Sequence, residues 1–220
     1  MPLPDSLFWE RKDATGVEHA LVDARNGLYA RGTILAVKPI AYTCRYELRT
    51  EPGWASAHLD VTTEGAGWSR NVRLELAAGR WRAVTAEQGN LDTVLSASGH
   101  ARAGLPGLED PDRLFGAFDV DLGGSPLTNT LPIRRLGLLK AEPNVSHRIS
   151  AALVLVPSLE VVQADQIYTP LSENGENGED KSGGRGNRIR YASETFSADL
   201  TVDDDGFVVD YPGLAQQITS

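Results

Sequence analysis

The stretch Val17–Leu48, VEHALVDARNGLYARGTILAVKPIAYTCRYEL, carries the clearest structural pattern in the chain. Two β-rich runs, Val17–Val22 and Leu28–Val37, lie on either side of Asp23–Gly27. The Asn-Gly end of that connection is typical of a tight hairpin turn. This stretch therefore predicts antiparallel strands joined by short turns.

The same pattern continues on both sides of this stretch. In the third run, Ala41–Leu48, the residues on one face are Tyr42, Cys44, Tyr46 and Leu48. Further strands are predicted at Ala55–Val61, Asn71–Leu76, Leu114–Leu122, Leu131–Leu139, His147–Val156, Leu159–Tyr168, Arg190–Val202 and Phe207–Tyr211. Amphipathic helical spacing is scarce, so the pattern indicates a mainly β chain with at most short helices.

Two segments interrupt the strand pattern. Ser96–Asp112 is rich in Gly, Ala and Pro, which predicts an exposed connection with at most a short helical turn. Thr169–Asn187 contains no aromatic residue and almost no apolar one, so burial cannot offset the entropy of ordering it. We expect flexible loops at 96–112 and 169–187, the second as a long hairpin loop.

Composition excludes several classes of function. The 220 residues include 21 Lys and Arg against 30 Asp and Glu, a net charge of −9 that disfavours binding to nucleic acid. A single cysteine, Cys44, excludes an intramolecular disulfide, and no spacing of His residues predicts a metal site. No apolar run approaches the ~20 residues of a membrane helix, and the N-terminus lacks a secretory signal pattern. We expect a soluble cytoplasmic protein with no cofactor, no metal and no transmembrane segment.

Asp119 and Asp121 are the first candidate site residues. They are two positions apart on a predicted strand, so their carboxylates share a face. Such a pair can ligate a cation or divide acid and base roles. It can equally face solvent or pair with Arg134 and Arg135 nearby, and structural ion pairs are the commoner case.

The segment Ser125–Pro132 is the second candidate. Its two prolines restrict the backbone, and its Ser, Thr and Asn side chains can bond to nearby peptide groups. One interpretation is a rigid loop stabilised by these local bonds. The other is a polar edge that presents Asn129 to a ligand.

The longer segment Gly116–Leu136, GAFDVDLGGSPLTNTLPIRRL, resembles the glycolipid-binding family, formerly a domain of unknown function. Two further segments agree, at Val156–Tyr168 and Tyr191–Leu214, and the likeness extends more loosely over the N-terminal half. The resemblance implies one domain over residues 1–220, with a curved antiparallel sheet wrapped into a roll or partial barrel. It supplies no catalytic mechanism.

The resemblance leads us to expect a non-enzymatic protein that binds a glycolipid or another amphiphilic small molecule. An apolar groove would take an acyl or prenyl chain, since each buried CH₂ contributes about 0.8 kcal/mol. Polar side chains at its mouth would hold the head group. The candidate ligand-binding residues are Asp119, Asp121, Asn129, Arg134, Arg135, Tyr168 and Tyr191.

Two alternatives stay open at this stage. One is a hydrolase acting on a lipid or sugar conjugate with Asp119 and Asp121 as acid and base, which predicts a cleft containing a carboxylate of raised pKa. The other is an interaction scaffold, which predicts a solid core and an exposed apolar patch.

Overall fold

The computed structural model describes residues 4–172 and 186–219, and within these ranges the chain forms one curved sheet. The strands are β1 (Ser6–Arg11), β2 (Gly16–Asp23), β3 (Tyr29–Ala36), β4 (Tyr42–Thr50), β5 (Ser56–Gly65), β6 (Trp68–Ala77), β7 (Arg80–Gly89), β8 (Asp119–Leu122), β9 (His147–Val154), β10 (Val161–Pro170), β11 (Asn187–Ala192), β12 (Ser197–Val202), β13 (Val208–Tyr211) and β14 (Ala215–Gln217). The helices are α1 (Leu91–Ala97) and α2 (Thr130–Arg135), with 3-10 turns at Pro111–Leu114, Pro126–Asn129 and Leu138–Lys140.

The order of the strands is β7-β6-β5-β4-β3-β2-β1-β14-β13-β12-β11-β10-β9-β8. The C-terminal strand β14 lies beside β1 and joins the two halves of the sheet. All neighbours are antiparallel except β8 and β9, which run parallel. The sheet curves without closing, so the predicted mainly β partial barrel with only short helices is confirmed.

Strand alternation gives the first half of the sheet, β1 to β7, one apolar inner face. The face predicted for β4 is confirmed, since Tyr42, Cys44, Tyr46 and Leu48 are all buried. Residues in phase with them on other strands join the same core, for example Trp9, Ile34, Leu59 and Leu74. The Asn-Gly connection joins β2 and β3 as an antiparallel hairpin, as predicted.

The far end of the sheet folds over the first half. Val120 and Leu122 of β8 belong to the larger core, and the β8 backbone approaches β5 where the Ser56 Oγ accepts a 2.9 Å bond from the Val120 N–H. The turn between β9 and β10 lies against inward side chains of β5 and β6. There Thr63 donates to the Pro157 carbonyl and Arg70 to the Ser158 carbonyl.

A second, smaller core lies against the other half of the sheet. Ile133 of α2 and Leu138 of the following 3-10 turn pack with apolar residues of β9, β11 and β12. The segment from β8 to α2 thus lies between the two cores, with α2 on the inner face of the second half.

The predicted strand at Leu131–Leu139 is wrong, because α2 and a 3-10 turn occupy this range. Pro132 cannot donate to a strand ladder, but the first turn of a helix needs no N–H at that position. Gly137 then takes a left-handed conformation, φ 63°, which ends the helix.

Two other predicted strands are shorter than expected. In Leu114–Leu122 only Asp119–Leu122 is a strand, because Gly116 has φ 84°, outside the strand region. Arg190–Val202 is divided into β11 and β12 by a turn in which the Ser193 N–H donates to the Phe196 carbonyl.

The two predicted loops lie at different places in the fold. Segment 96–112 includes the end of α1 and makes a parallel bridge between Gly107 and Glu160. Segment 169–187 connects the paired strands β10 and β11, in agreement with the hairpin interpretation. Residues 173–185 lie outside the described residues, and the flexibility of both loops stays a prediction.

We predict that Gly32→Ala destabilises the protein by about 1–3 kcal/mol, the usual cost of overpacking a core. A Cβ atom on Gly32 would lie 2.1 Å from Cζ of Tyr46, so the ring must move and its 2.6 Å bond to Glu18 would be disturbed. Urea denaturation measures the loss. Gly53→Ala is the matched control, since nothing lies within 4 Å of the added atom. Equal destabilisation by the two substitutions would contradict the packing argument.

Candidate functional site

The segment from β8 to α2 brings six of the seven predicted site residues into one interior network. Asp119 and Asp121 point away from the larger core, because Val120 and Leu122 alternate with them and point into it. Their carboxylates therefore face α2 and β10. We call Asp119, Asp121, Asn129, Arg135, Tyr168 and Tyr191 the interior network.

Asp119 and Arg135 form an ion pair at one end of this network. The Arg135 Nε and Nη2 atoms donate to the two Asp119 carboxylate oxygens over 3.0 and 2.5 Å. Asp119 is 1% exposed, and burial raises the pKa of its carboxyl group although Arg135 opposes the shift. Both oxygens of this carboxylate are used within the protein.

Asp121 begins a chain of hydrogen bonds. It accepts from Thr128 over 2.9 Å and from Gln166 over 2.6 Å. Gln166 in turn accepts from the Tyr168 hydroxyl, which accepts from the Asn129 amide over 3.0 Å. Burial is the main cause that raises the pKa of Asp121, and the nearby Asp119 adds to it.

An aromatic cluster continues the network across β11 and β13. The rings of Tyr168 and Tyr191 meet edge to face with centroids 5.4 Å apart. Tyr211 lies 6.0 Å from Tyr191, and Phe196, which is partly exposed, lies near both. Sequence reasoning did not select Tyr211 and Phe196, which join the cluster only because β11, β12 and β13 are neighbours in the sheet.

Arg134 is separate from the interior network. Its guanidinium lies 4.7 Å from the ring centroid of Trp54 and donates to the Asp205 carbonyl over 2.9 Å. Consecutive helix positions point about 100° apart, so Arg134 and Arg135 reach different partners. Arg134 thereby connects α2 to the Asp203–Gly206 turn, which joins the paired strands β12 and β13.

A second polar cluster lies inside the first half of the sheet. Glu18 is 0% exposed, and its Oε1 accepts from the Tyr46 hydroxyl and the Ser125 hydroxyl, each over 2.6 Å. Burial raises the pKa of Glu18 to about 7. Its Oε2 and the Nη1 of buried Arg11 have no hydrogen-bond partner among the described residues.

Sequence reasoning missed this cluster, although the strand pattern contained a signal for it. Glu18 is in phase with the buried Ala20 and Val22, and Arg11 is in phase with Leu7 and Trp9. A charged residue at an inward position of an alternating strand is therefore the feature that would have identified both.

The most enclosed of the described pockets lies between segment 103–113 and β10, with a volume of about 770 Å³. We call it the β10 groove. Its apolar lining includes Ala103, Leu105, Leu108, Val161 and Val162, and its charged lining consists of Glu109, Asp110, Arg113 and Glu160. Other pockets of 360–690 Å³ lie along β2 to β7. The residues of the interior network line none of these five pockets in the described structure.

The described residues contain no helix long and apolar enough to cross a membrane. They also contain no group of three or more His, Cys, Asp or Glu side chains that could hold a metal ion. Cys44 is buried, and burial raises the pKa of its thiol.

We predict that Arg135→Met destabilises the protein by about 3–5 kcal/mol, because it leaves the buried Asp119 carboxylate without its partner. Urea denaturation near neutral pH measures the effect. Arg45→Met is the control, since its ion pair with Glu64 is exposed and contributes about 0–1 kcal/mol. Similar losses for both variants would show that Asp119 does not depend on Arg135.

Comparison with a solved structure of the DUF1089 family supports the fold. A DUF1089 family protein from Pseudomonas aeruginosa is similar over 91% of this chain and 92% of its own, with 24% identity and a TM-score of 0.63. A β-barrel-like DUF1849 protein from Brucella abortus has 6% identity over 97% of this chain and 94% of its own, with a TM-score of 0.40. No curated protein matches the chain.

The family comparison covers almost the whole chain. The model of the family described as "Putative glycolipid-binding" matches residues 6–217, which includes every described strand and both short helices. The chain therefore belongs to this glycolipid-binding family.

Proposed function

We propose that this protein binds a glycolipid or a related amphiphile, with the acyl chain in the β10 groove and the head group at its charged edge. The observation that carries the proposal is the groove itself. Its volume of about 770 Å³ lies within the ~300–1,000 Å³ range of small-molecule sites. The family to which the chain belongs supports the same ligand class.

The wall of the groove suits an apolar chain. Val161 and Val162 come from β10, whereas Ala103, Leu105 and Leu108 come from the opposite segment. Leu105 is 80% exposed, so a chain lying against it would remove apolar surface from water. Each buried methylene group would contribute about 0.8 kcal/mol.

The edge of the groove suits a neutral, hydroxyl-rich head group. Three carboxylates, Glu109, Asp110 and Glu160, accompany one guanidinium, Arg113. This excess of negative charge disfavours a phosphate group, because like charges repel. Sugar hydroxyl groups can donate to the carboxylates and accept from Arg113.

The interior network and Arg134 are the second candidate location for the head group, as the sequence predicts. Ligand binding there requires a side chain to exchange an existing partner, since both oxygens of Asp119 and of Asp121 accept hydrogen bonds from the protein. The same fact disfavours Asp119 and Asp121 as a catalytic acid and base in this conformation. The enzymatic alternative and the scaffold alternative stay predictions.

We predict that Val162→Trp weakens binding of a fluorescent fatty-acyl probe at least tenfold, because the larger side chain occupies the groove. Fluorescence titration gives the dissociation constant.

A neutral glycosyl diacylglycerol should displace the probe from the unmodified protein better than phosphatidylglycerol does. Native mass spectrometry and lipid extraction of the purified protein should identify a bound amphiphile.

Val145→Trp is the matched control, because Val145 is 42% exposed and does not line the groove. It should bind the probe as the unmodified protein does.

Asn129→Ala tests the second location, since Asn129 bonds to Tyr168 in the interior network. Loss of probe binding in Asn129→Ala with normal binding in Val162→Trp would move the site to the interior network. No binding of any amphiphile would overturn the proposal.

A further inference from the structure

One turn covers the two unpartnered polar groups of the Glu18 cluster. The Gly123–Ser125 turn follows β8, and the Ser125 hydroxyl donates to Glu18. Gly124 lies directly on Arg11, because a Cβ atom on Gly124 would come within 2.2 Å of the Arg11 Nη2. The turn therefore separates both Glu18 and Arg11 from water.

The closed arrangement leaves both groups incompletely bonded. Glu18 Oε2 and Arg11 Nη1 are buried without a hydrogen-bond partner among the described residues. A buried polar atom without a hydrogen-bond partner destabilises the folded state, and a charged one does so more strongly. Water that reached the cluster would provide hydrogen-bond partners for both atoms, so opening the turn would relieve this destabilisation.

The groups around Glu18 compensate a negative charge there only in part: Tyr46 and Ser125 donate to Oε1, but burial outweighs them and raises the pKa of the carboxyl group. The positive charge of Arg11 on β1 also lowers the pKa of Glu18, but Asp13 binds the Arg11 guanidinium with both carboxylate oxygens, and the effect of burial is larger. From β4, Tyr42, Cys44 and Tyr46 contribute only neutral groups near pH 7, since burial raises the pKa of each. His19, the next residue on β2, is exposed and bonds to Ser6.

We propose that the Gly123–Ser125 turn is a pH-sensitive cover, which stays closed while Glu18 carries a proton and opens when Glu18 ionises. A protonated Glu18 leaves one neutral oxygen unsatisfied, whereas an ionised Glu18 places negative charge on that oxygen in a water-excluded interior. Opening the turn brings water to Oε2 and relieves this cost.

The direction of the pH dependence follows from the raised pKa of Glu18. In the closed state this pKa is about 7, and in water the ordinary value is 4.5. Opening therefore releases a proton between these two pH values, and the open fraction rises by up to about tenfold per pH unit. Well above pH 7 both states are ionised and the opening equilibrium becomes constant.

Residue-resolved hydrogen exchange from pH 4.5 to 8, corrected for intrinsic exchange rates, tests the proposal. The probes are the Gly123 and Ser125 amides, which donate to the Val154 and Leu122 carbonyls. In the unmodified protein their opening should increase roughly 100-fold between pH 4.5 and 7. Glu18→Gln should abolish most of this increase. An unchanged pH dependence in Glu18→Gln would overturn the proposal.

Asp121→Asn tests whether a second buried carboxyl group, rather than Glu18, controls the opening of the turn. Asp121 lies near the other side of the turn through Thr128, which bonds to both Asp121 and the Ser125 carbonyl, and its pKa is also raised by burial. This variant should keep the increase in opening at the Gly123 and Ser125 amides between pH 4.5 and 7. If Asp121→Asn removes it and Glu18→Gln does not, Asp121 controls the turn and the proposal fails.

A measurement on the unmodified protein keeps the test valid if Glu18→Gln does not fold. The ¹³C resonance of the Glu18 carboxyl carbon should titrate near pH 7, together with the amide shifts of Gly123–Ser125. A titration near pH 4.5, or one without a change at the turn, would overturn the proposal.

Discussion

The rest of the structure depends on one constraint: both faces of the short strand β8 pack against other parts of the protein. Its four residues are too few to form a stable strand alone, and they pair in parallel with β9. Val120 and Leu122 complete the larger core, and strand alternation then forces Asp119 and Asp121 toward α2 and β10. Two carboxylates in this position need partners, because an unpaired buried charge is costly.

These partners explain the unusual composition of the segment after β8. Thr128 and Gln166 satisfy Asp121, and Arg135 satisfies Asp119. The 3-10 turn at Pro126–Asn129 and helix α2 hold Thr128 and Arg135 at the required positions. The segment Gly116–Leu136, which resembles the family, therefore consists largely of residues that allow β8, with its two aspartates, to lie between the two cores.

The proposed ligand site and the interior network consequently lie in different parts of the chain. The interior network uses its hydrogen bonds within the protein, whereas the β10 groove has apolar walls and charged side chains that face solvent-accessible space. Glu18 belongs to neither. It occupies the inner face of β2, where one of its oxygens has no partner among the described residues and burial raises the pKa of its carboxyl group.

The sequence predicted the class of fold, and it grouped the residues of the interior network, although as ligand-binding residues, a role that stays a prediction. The alternation in β4 and the Asn-Gly turn before β3 are local patterns, so they were visible without a structure. The aspartate pair, Asn129 and Arg135 stand within one continuous motif, and Tyr168 and Tyr191 lie on paired strands. The strand predicted at Leu131–Leu139 was wrong, because a short run of apolar residues fits a strand and a helix equally well.

By itself, the sequence determined the strand alternation of β4 and the Asn-Gly turn before β3, since both depend on neighbours along the chain. It offered the pairing of Asp119 or Asp121 with the nearby arginines only as one alternative. Only the tertiary structure decided that β14 joins β1, that segment 103–113 forms a groove with β10, and that Ser125 covers Glu18. Ser125 and Glu18 are 107 positions apart, and no local pattern records a contact that exists only because the sheet curves back on itself.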